Sequence, residues 1–445
     1  MHCGVVRGHS YNCPHDVERG PCIPSNPLDP NLRHAITVAL TWDQVLEYIV
    51  EPHALLPAPR RPPPMRRSKL FHRDFLRDLR DKTRRFGGTD VVYTMQCMWT
   101  YCRSGVFVSV RNGRMELFVP FCNAQYRNFW PPEARAKFLS PSATGLPFEN
   151  WWMNGWMICD QVPSGVCGDH WLTTLRHMVR TCCTNDGDFI LNKRDCPLIR
   201  RDLGDPMNPF GEAQPLIDPR RMLRVFSFYG GPLHLDVPCP IAADWQRLQR
   251  TSFSQAHPRP VEPPFVDMYF ESKESKAVFR GSLTGTGQRA AWCRRRYKHA
   301  DVACTSMNSD RRRIDPCTLT EVPVDVRGVR RAPRMCMNEQ QQSYKYAIYL
   351  NGHSGPDRAA RLFNGSQVVL KPESCAHDLG QDLWFTGLLH PMQHYVKVSM
   401  DGSDVDEVIE KLEASSDVAE AITSACGALP LTVEGIKEWW YFALL

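Results

Sequence analysis

The sequence predicts an α/β protein with a parallel sheet in its last third, and three observations carry that prediction. Two apolar runs there end in glycine-rich loops. Ala277-Val278-Phe279-Arg280 leads into Gly281-Ser282-Leu283-Thr284-Gly285-Thr286-Gly287, and residues 344–350 lead into Asn351-Gly352-His353-Ser354-Gly355. A further strand-like run, Gln367-Val368-Val369-Leu370-Lys371, follows them, and Val405, Val408, Ile409, Leu412, Val418 and Ile422 then recur at helical spacing with a break near Ser415-Ser416. Strands alternating with helices favour a parallel sheet. At 445 residues the chain exceeds a single domain of roughly 100–200 residues, so two to three domains are expected.

Composition narrows the class. Hydrophobic residues make up 42% of the chain and charged residues 23%, which supplies ordinary cores and excludes wholesale disorder. The 54 basic residues are nearly offset by 48 acidic ones, leaving a net charge of +6, so a uniformly cationic nucleic-acid coat is not expected. No apolar run approaches the length of a membrane span, and the first 22 residues are too polar for the core of an export signal. The 18 Cys form no repeated C-x-x-C pair and read as reduced core thiols. His2, Cys3, His9, Cys13, His15 and Cys22 are ligand types at irregular spacing, so no metal site is assigned.

Taken in order, residues 1–85 form a proline-rich extension of unassigned role, densest at Pro57-Ala58-Pro59-Arg60-Arg61-Pro62-Pro63-Pro64, where proline opposes both helix interior and central strand. Within it, residues 39–50 read as a short helix with Trp42, Val45, Leu46 and Ile49 on one side. Residues 105–121 read as a β-hairpin turning at Asn112-Gly113, a pair that accepts positive φ. Trp151, Trp152, Trp156 and Trp171 read either as core or as a sugar-stacking platform. Residues 188–192 form an apolar strand running into Lys193-Arg194-Asp195-Cys196-Pro197. That places Asp195 at a strand end, where open α/β sheets hold their chemistry. Residues 254–264, rich in proline, mark a boundary between two lobes, and the chain contains no internal repeat.

Candidate chemistry follows from the two glycine loops. Their backbone N–H groups can approach anionic oxygens closely, and Ser282 and Thr284 add hydroxyl donors. The first loop lacks the Gly-Lys-Ser/Thr ending of an ATP-binding P-loop. Arg289 follows the first loop and Arg358 the second, so the two guanidinium groups could face one diphosphate. Each arginine, taken alone, also reads as a solvated surface charge, and Asp195 as a helix cap or an ion pair with a neighbouring base. Asp310-Arg311-Arg312-Arg313 reads as a solvated loop, without the aromatic interleaving of an RNA-binding surface.

Together these segments resemble glycosyltransferase family 90, the group of protein O-glucosyltransferases, capsule-associated xylosyltransferases and related proteins of large DNA viruses. The resemblance rests on residues 189–197 (FILNKRDCP), residues 279–285 (FRGSLTG), residues 344–358 beginning Tyr344-Lys345-Tyr346, residues 365–374 (GSQVVLKPES), and residues 388–398, which look like the family's "LKPxxHYxPV" segment. Residues 105–130 resemble the viral relatives in particular.

The resemblance implies a GT-B architecture of two Rossmann-like lobes with an interdomain cleft: an acceptor-side lobe at 86–255, a nucleotide-sugar lobe at 265–400 and a C-terminal helical segment at 401–445 that crosses back. It implies an inverting, metal-independent transfer of glucose or xylose from a UDP-sugar to a glycan or protein hydroxyl, with Asp195 as the base. Donor contacts would come from Gly281, Ser282, Thr284, Arg289, Gly352, His353, Ser354, Arg358 and Glu373. No cofactor beyond the UDP-sugar is implied, and the expected location is the cytoplasm, the host's or the virion if the protein is viral. A non-catalytic sugar- or nucleotide-binding scaffold on the same fold, and a basic nucleic-acid-associated protein, are the alternatives.

Overall fold

Two five-stranded sheets organise the chain. The computed structural model describes residues 41–64, 66–102, 104–122, 150–153, 156–159, 167–192, 197, 199, 217–232, 234–248, 270–284, 287–306, 326–336, 340, 343–352, 355–372 and 381–445. The protein separates into two units. The first comprises Met1–Gly230, His234–Gln246 and Thr432–Leu445, and the second Gly231–Leu233 and Arg247–Leu431.

In the first unit, β1 (Ser104–Arg111) and β2 (Arg114–Cys122) form the expected hairpin. Its turn places Asn112 and Gly113 at φ 53° and 67°, the left-handed pair that matches the twist of flanking strands. A two-residue turn forces antiparallel pairing, and β1 also runs antiparallel to β5 (Gly187–Leu191). Next come β6 (Arg224–Ser227) and β7 (Val237–Pro238), each parallel to its neighbour, so the order is β2-β1-β5-β6-β7. A separate antiparallel pair, β3 (Asn150–Met153) and β4 (Trp156–Cys159), contains three of the clustered tryptophans. The side chains of Trp151, Trp152, Trp156 and Trp171 lie outside what the structure describes.

Helices α1 (Arg73–Thr83), α2 (Val91–Cys97) and α3 (Cys167–Cys182) belong to this unit, as does α8 (Val433–Ala443) from the end of the chain. α8 packs on α1 and α3, and its Trp440 lies 5.5 Å from the Phe189 ring and 5.1 Å from Phe226. Burying such a ring contributes about 1.5–3 kcal/mol. Residues 41–85 also pack here. Val45 and Ile49 are fully buried, Phe71, Phe75 and Leu79 nearly so, and the Lys69 N–H donates to Glu438 of α8.

The second unit holds β8 (Glu274–Ser282), β9 (Ala300–Ser306), β10 (Tyr344–Ile348), β11 (Val368–Pro372) and β12 (Val396–Val398), all parallel, in the order β12-β11-β10-β8-β9. Parallel strands are covered on both faces, and Ala277, Phe279, Tyr346, Val368, Val369 and Leu370 are accordingly sealed from solvent. Helices α4 (Gln288–Arg294), α5 (Ala359–Phe363), α6 (Val405–Glu413) and α7 (Ser416–Gly427) complete the unit. The predicted break falls where expected, with Ala414 capping α6 and Ser415 preceding α7. The chain is thus mixed α/β, with a fully parallel sheet in its last third.

Candidate functional site

The second sheet fixes where a ligand would bind. Numbering its strands from β8, the order is 2-1-3-4-5, so the winding reverses between β8 and β10. Loops leaving the carboxyl ends of two such strands diverge and leave a crevice, the usual ligand position in doubly wound sheets. The loops at that reversal are the two glycine loops, the first beginning at Leu283 and the second at Tyr349.

Arg289, in the first turn of α4, joins them. Its Nη1 donates to the Ser282 carbonyl and to Thr284 Oγ1, both at 2.8 Å, and its Nη2 donates to the Leu350 carbonyl at 3.0 Å. Gly352 permits the close approach, because a Cβ there would lie 3.1 Å from Thr284 Oγ1 and 3.3 Å from Arg289 Nη2. Gly281 lies within β8 itself.

Arg358, at the start of α5, comes to the same place from the second loop. Its Nη1 donates to the Arg280 carbonyl at 2.6 Å, and its guanidinium carbon sits 4.8 Å from the centre of the Phe279 ring. The guanidinium carbon of Arg289 lies 5.5 Å from that same ring. The fully buried Phe279 therefore forms an apolar floor beside two cations, within cation–π range of each. Burial, and then the positive charge of Arg289, pull the Arg358 pKa down to about 10, with Asp357 acting in the opposite direction. Backbone carbonyls orient both guanidinium groups, and the Thr284 hydroxyl also accepts from Arg289. Two partly desolvated like charges so arranged favour an anion of two or more charges between them.

The first unit carries a second polar cluster, which sequence reading did not detect. Beyond the end of β5, the fully buried Asn192 donates its backbone N–H to the Phe226 carbonyl at 2.7 Å and its Nδ2 to Ser227 Oγ at 3.0 Å. Ser227 Oγ donates to Asp236, whose other oxygen accepts the Ile199 N–H at 2.6 Å. Leu235 N–H in turn donates to the Ile199 carbonyl at 2.8 Å. Asn192 and Ile199 flank Asp195 in sequence, so both ends of that segment are pinned to β6 and to the stretch before β7. A sequence signal existed only in the polar residues that close otherwise apolar strands, Asn192 after Leu191 and Ser227 after Phe226.

Gly281, Ser282, Thr284, Arg289, Gly352 and Arg358 thus gather at one end of the second sheet. Asp195, His353, Ser354 and Glu373 lie outside the described residues, as do the N-terminal Cys/His series and the 310–313 run. Among the described residues no group of three or more His, Cys, Asp or Glu side chains stands ready to hold a metal ion, and no helix is long and apolar enough to cross a membrane.

Comparison with known proteins agrees with the sequence resemblance. The chain is 28% identical over 384 residues to "Uncharacterized protein 027R" of Frog virus 3 (isolate Goorha), covering 74% of this chain and 39% of the relative. It is 26% identical over 387 residues to "Uncharacterized protein 035R" of Invertebrate iridescent virus 3, covering 75% and 34%. "Uncharacterized protein 179R" of Invertebrate iridescent virus 6 is 23% identical over 413 residues, covering 74% and 34%. The chain therefore spans between 34% and 39% of the length of these curated relatives. Residues 171–429, from α3 through the whole second sheet to the end of α7, match the family described as Glycosyl transferase family 90. With more than half of its length inside that match, and the two glycine loops at its centre, the chain belongs to glycosyl transferase family 90.

Proposed function

We propose that the protein is an inverting, metal-independent glycosyltransferase of GT-B architecture that moves glucose or xylose from a UDP-sugar to a hydroxyl of a glycan or protein. The observation that carries this reading is the pair Arg289 and Arg358 beside one phenylalanine ring at the winding reversal of a parallel sheet. Such a pair suits a diphosphate better than a monoanion. Two fixed guanidinium groups also supply the positive charge that a divalent cation would otherwise bring to the leaving group.

In the proposed step, Asp195 accepts the proton of the acceptor hydroxyl as its oxygen attacks the anomeric carbon. The bond from that carbon to the β-phosphate oxygen breaks, and its electron pair leaves with the diphosphate. A single displacement from the opposite side inverts the configuration. Charge developing on the diphosphate is met by Arg358, Arg289, the Ser282 and Thr284 hydroxyls and the amides of the first loop. Gly352, His353 and Ser354 line the donor from the second loop, and Glu373 holds the ribose hydroxyls. Glucose and xylose differ by one hydroxymethyl group, which a pocket discriminates only modestly, so the two donors are tested together.

Asp195→Asn is expected to lower turnover of the preferred UDP-sugar by about 10²–10⁴-fold while UDP affinity stays within about twofold of the wild type. Unchanged turnover would remove Asp195 from the mechanism. Donor binding without transfer to any acceptor of a broad panel would make the chain a nucleotide-sugar-binding scaffold instead.

A further inference from the structure

The strand register beside the candidate site singles out a residue that no motif marks. β8 and β9 pair in step from Ala277 opposite Ala300 to Gly281 opposite Cys304, and then the register shifts so that Ser282 faces Ser306. In continuous register Ser282 would face Thr305. Irregularities of this kind leave one residue unpaired and re-aim side chains, and they concentrate beside functional sites. Here the shift is secured by the Leu283 N–H, which donates to the Ser306 carbonyl at 2.9 Å.

The consequence is a directed hydroxyl. Ser306 Oγ donates to Ser282 Oγ at 2.9 Å. A serine hydroxyl has one proton and two lone pairs, so Ser282, having accepted from Ser306, keeps its own proton for another partner. Its own carbonyl is already taken by the Thr284 N–H at 3.0 Å and Arg289 Nη1 at 2.8 Å. Among the described residues the Ser282 O–H meets no acceptor. Thr284 Oγ1 likewise accepts, from Arg289 at 2.8 Å.

We propose that Ser306 is a positioning residue whose hydroxyl fixes Ser282 as a hydrogen-bond donor to the diphosphate of the sugar donor. This rests on the nucleotide-sugar reading above. The phosphate oxygen is the charged acceptor that the Ser282 proton lacks within the protein, and a charge-assisted bond of this kind strengthens as the leaving group gains charge. The relay thus affects affinity for the nucleotide and, more strongly, turnover.

The test is a double-mutant cycle on the full chain, with UDP affinity measured by calorimetry and the thermal midpoint of each variant recorded. Ser282→Ala is expected to weaken UDP binding about tenfold or more, as loss of a hydrogen bond to a charged group does, and Ser306→Ala about three- to tenfold. Ser306→Thr keeps a hydroxyl on a β-branched side chain suited to a strand and should restore wild-type affinity. In the Ser282→Ala background, Ser306→Ala should add nothing, because the residue acts through Ser282. If Ser306→Ala is recovered unfolded, Ser306→Cys takes its place with the same expectations. Wild-type affinity in Ser306→Ala, or an undiminished loss in the Ser282→Ala background, overturns the relay alone. A wild-type chain with no affinity for UDP overturns both the relay and the nucleotide-sugar reading.

Discussion

Two sets of buried arginines in this protein are held in opposite ways. In the first unit Arg111, almost wholly buried on β1, faces the Asp188 carboxylate of β5 through both ends of its guanidinium, at 2.8 and 2.9 Å. Ser109 and His53 donate to the same carboxylate at 2.6 and 3.0 Å, and the Pro57 carbonyl accepts from Arg111 at 2.7 Å. The cluster ties the proline-rich stretch to the sheet. In the second unit Arg280 is likewise paired with Asp301. Arg289 and Arg358 donate to the Ser282, Leu350 and Arg280 carbonyls and the Thr284 hydroxyl. The Arg111 charge is matched by a carboxylate hydrogen-bonded to it, whereas the Arg358 guanidinium is oriented by a backbone carbonyl, with the charge of the neighbouring Asp357 also acting on it.

The sharpest way to break that contrast is to remove the matching carboxylate. Asp188→Asn leaves the Arg111 charge buried and poorly compensated, a change that typically costs about 3–5 kcal/mol. Chemical denaturation should therefore show a large loss for Asp188→Asn. Arg358→Met should lose much less stability, because it removes the desolvated charge itself rather than leaving one buried without its partner. Equal losses in the two variants would erase the distinction.

A smaller effect comes from acid. Burial alone would raise the Asp188 pKa, but hydrogen bonds from His53, Arg111 and Ser109, and the charge of Arg111, hold it down at about 2, against 3.8 for an ordinary Asp. A carboxyl with a depressed folded pKa contributes stability that is complete above the unfolded value and is lost as pH falls towards the folded one. Between pH 5 and pH 2 the wild type should therefore lose about 2 kcal/mol more than Asp188→Asn does. Parallel losses in the two proteins would show that Asp188 does not drive the acid sensitivity.

Much of the fold was legible because it rests on local signals. Asn112-Gly113 named its turn, the runs before the two glycine loops named β8 and β10, and the helical spacing of residues 405–422 named α6 and α7 together with the break between them. β9 escaped notice because Ala300-Asp-Val-Ala-Cys-Thr-Ser is short of β-branched residues, and β7 because it is only Val237–Pro238. What joins distant parts of the chain left no local trace. Arg111 and Asp188 stand 77 residues apart, and Ser306 meets Ser282 only through a register shift. Sequence reading placed Arg289 and Arg358 after two separate loops. That they share the Phe279 ring depends on β8 and β10 being neighbours, a property of strand order. In residues 66–85, which contain no proline, the stripe of Phe75 and Leu79 that packs α1 into the first unit went unread among the many charged residues around it.

The most direct measurement compares UDP with uridine by calorimetry on the wild type and on Arg358→Ala. If the two guanidinium groups hold the diphosphate, UDP should bind the wild type at least about tenfold more tightly than uridine, and Arg358→Ala should remove most of that margin, as loss of a hydrogen bond to a charged group does. Equal affinity of the wild type for UDP and uridine, or an undiminished margin in Arg358→Ala, would contradict the account.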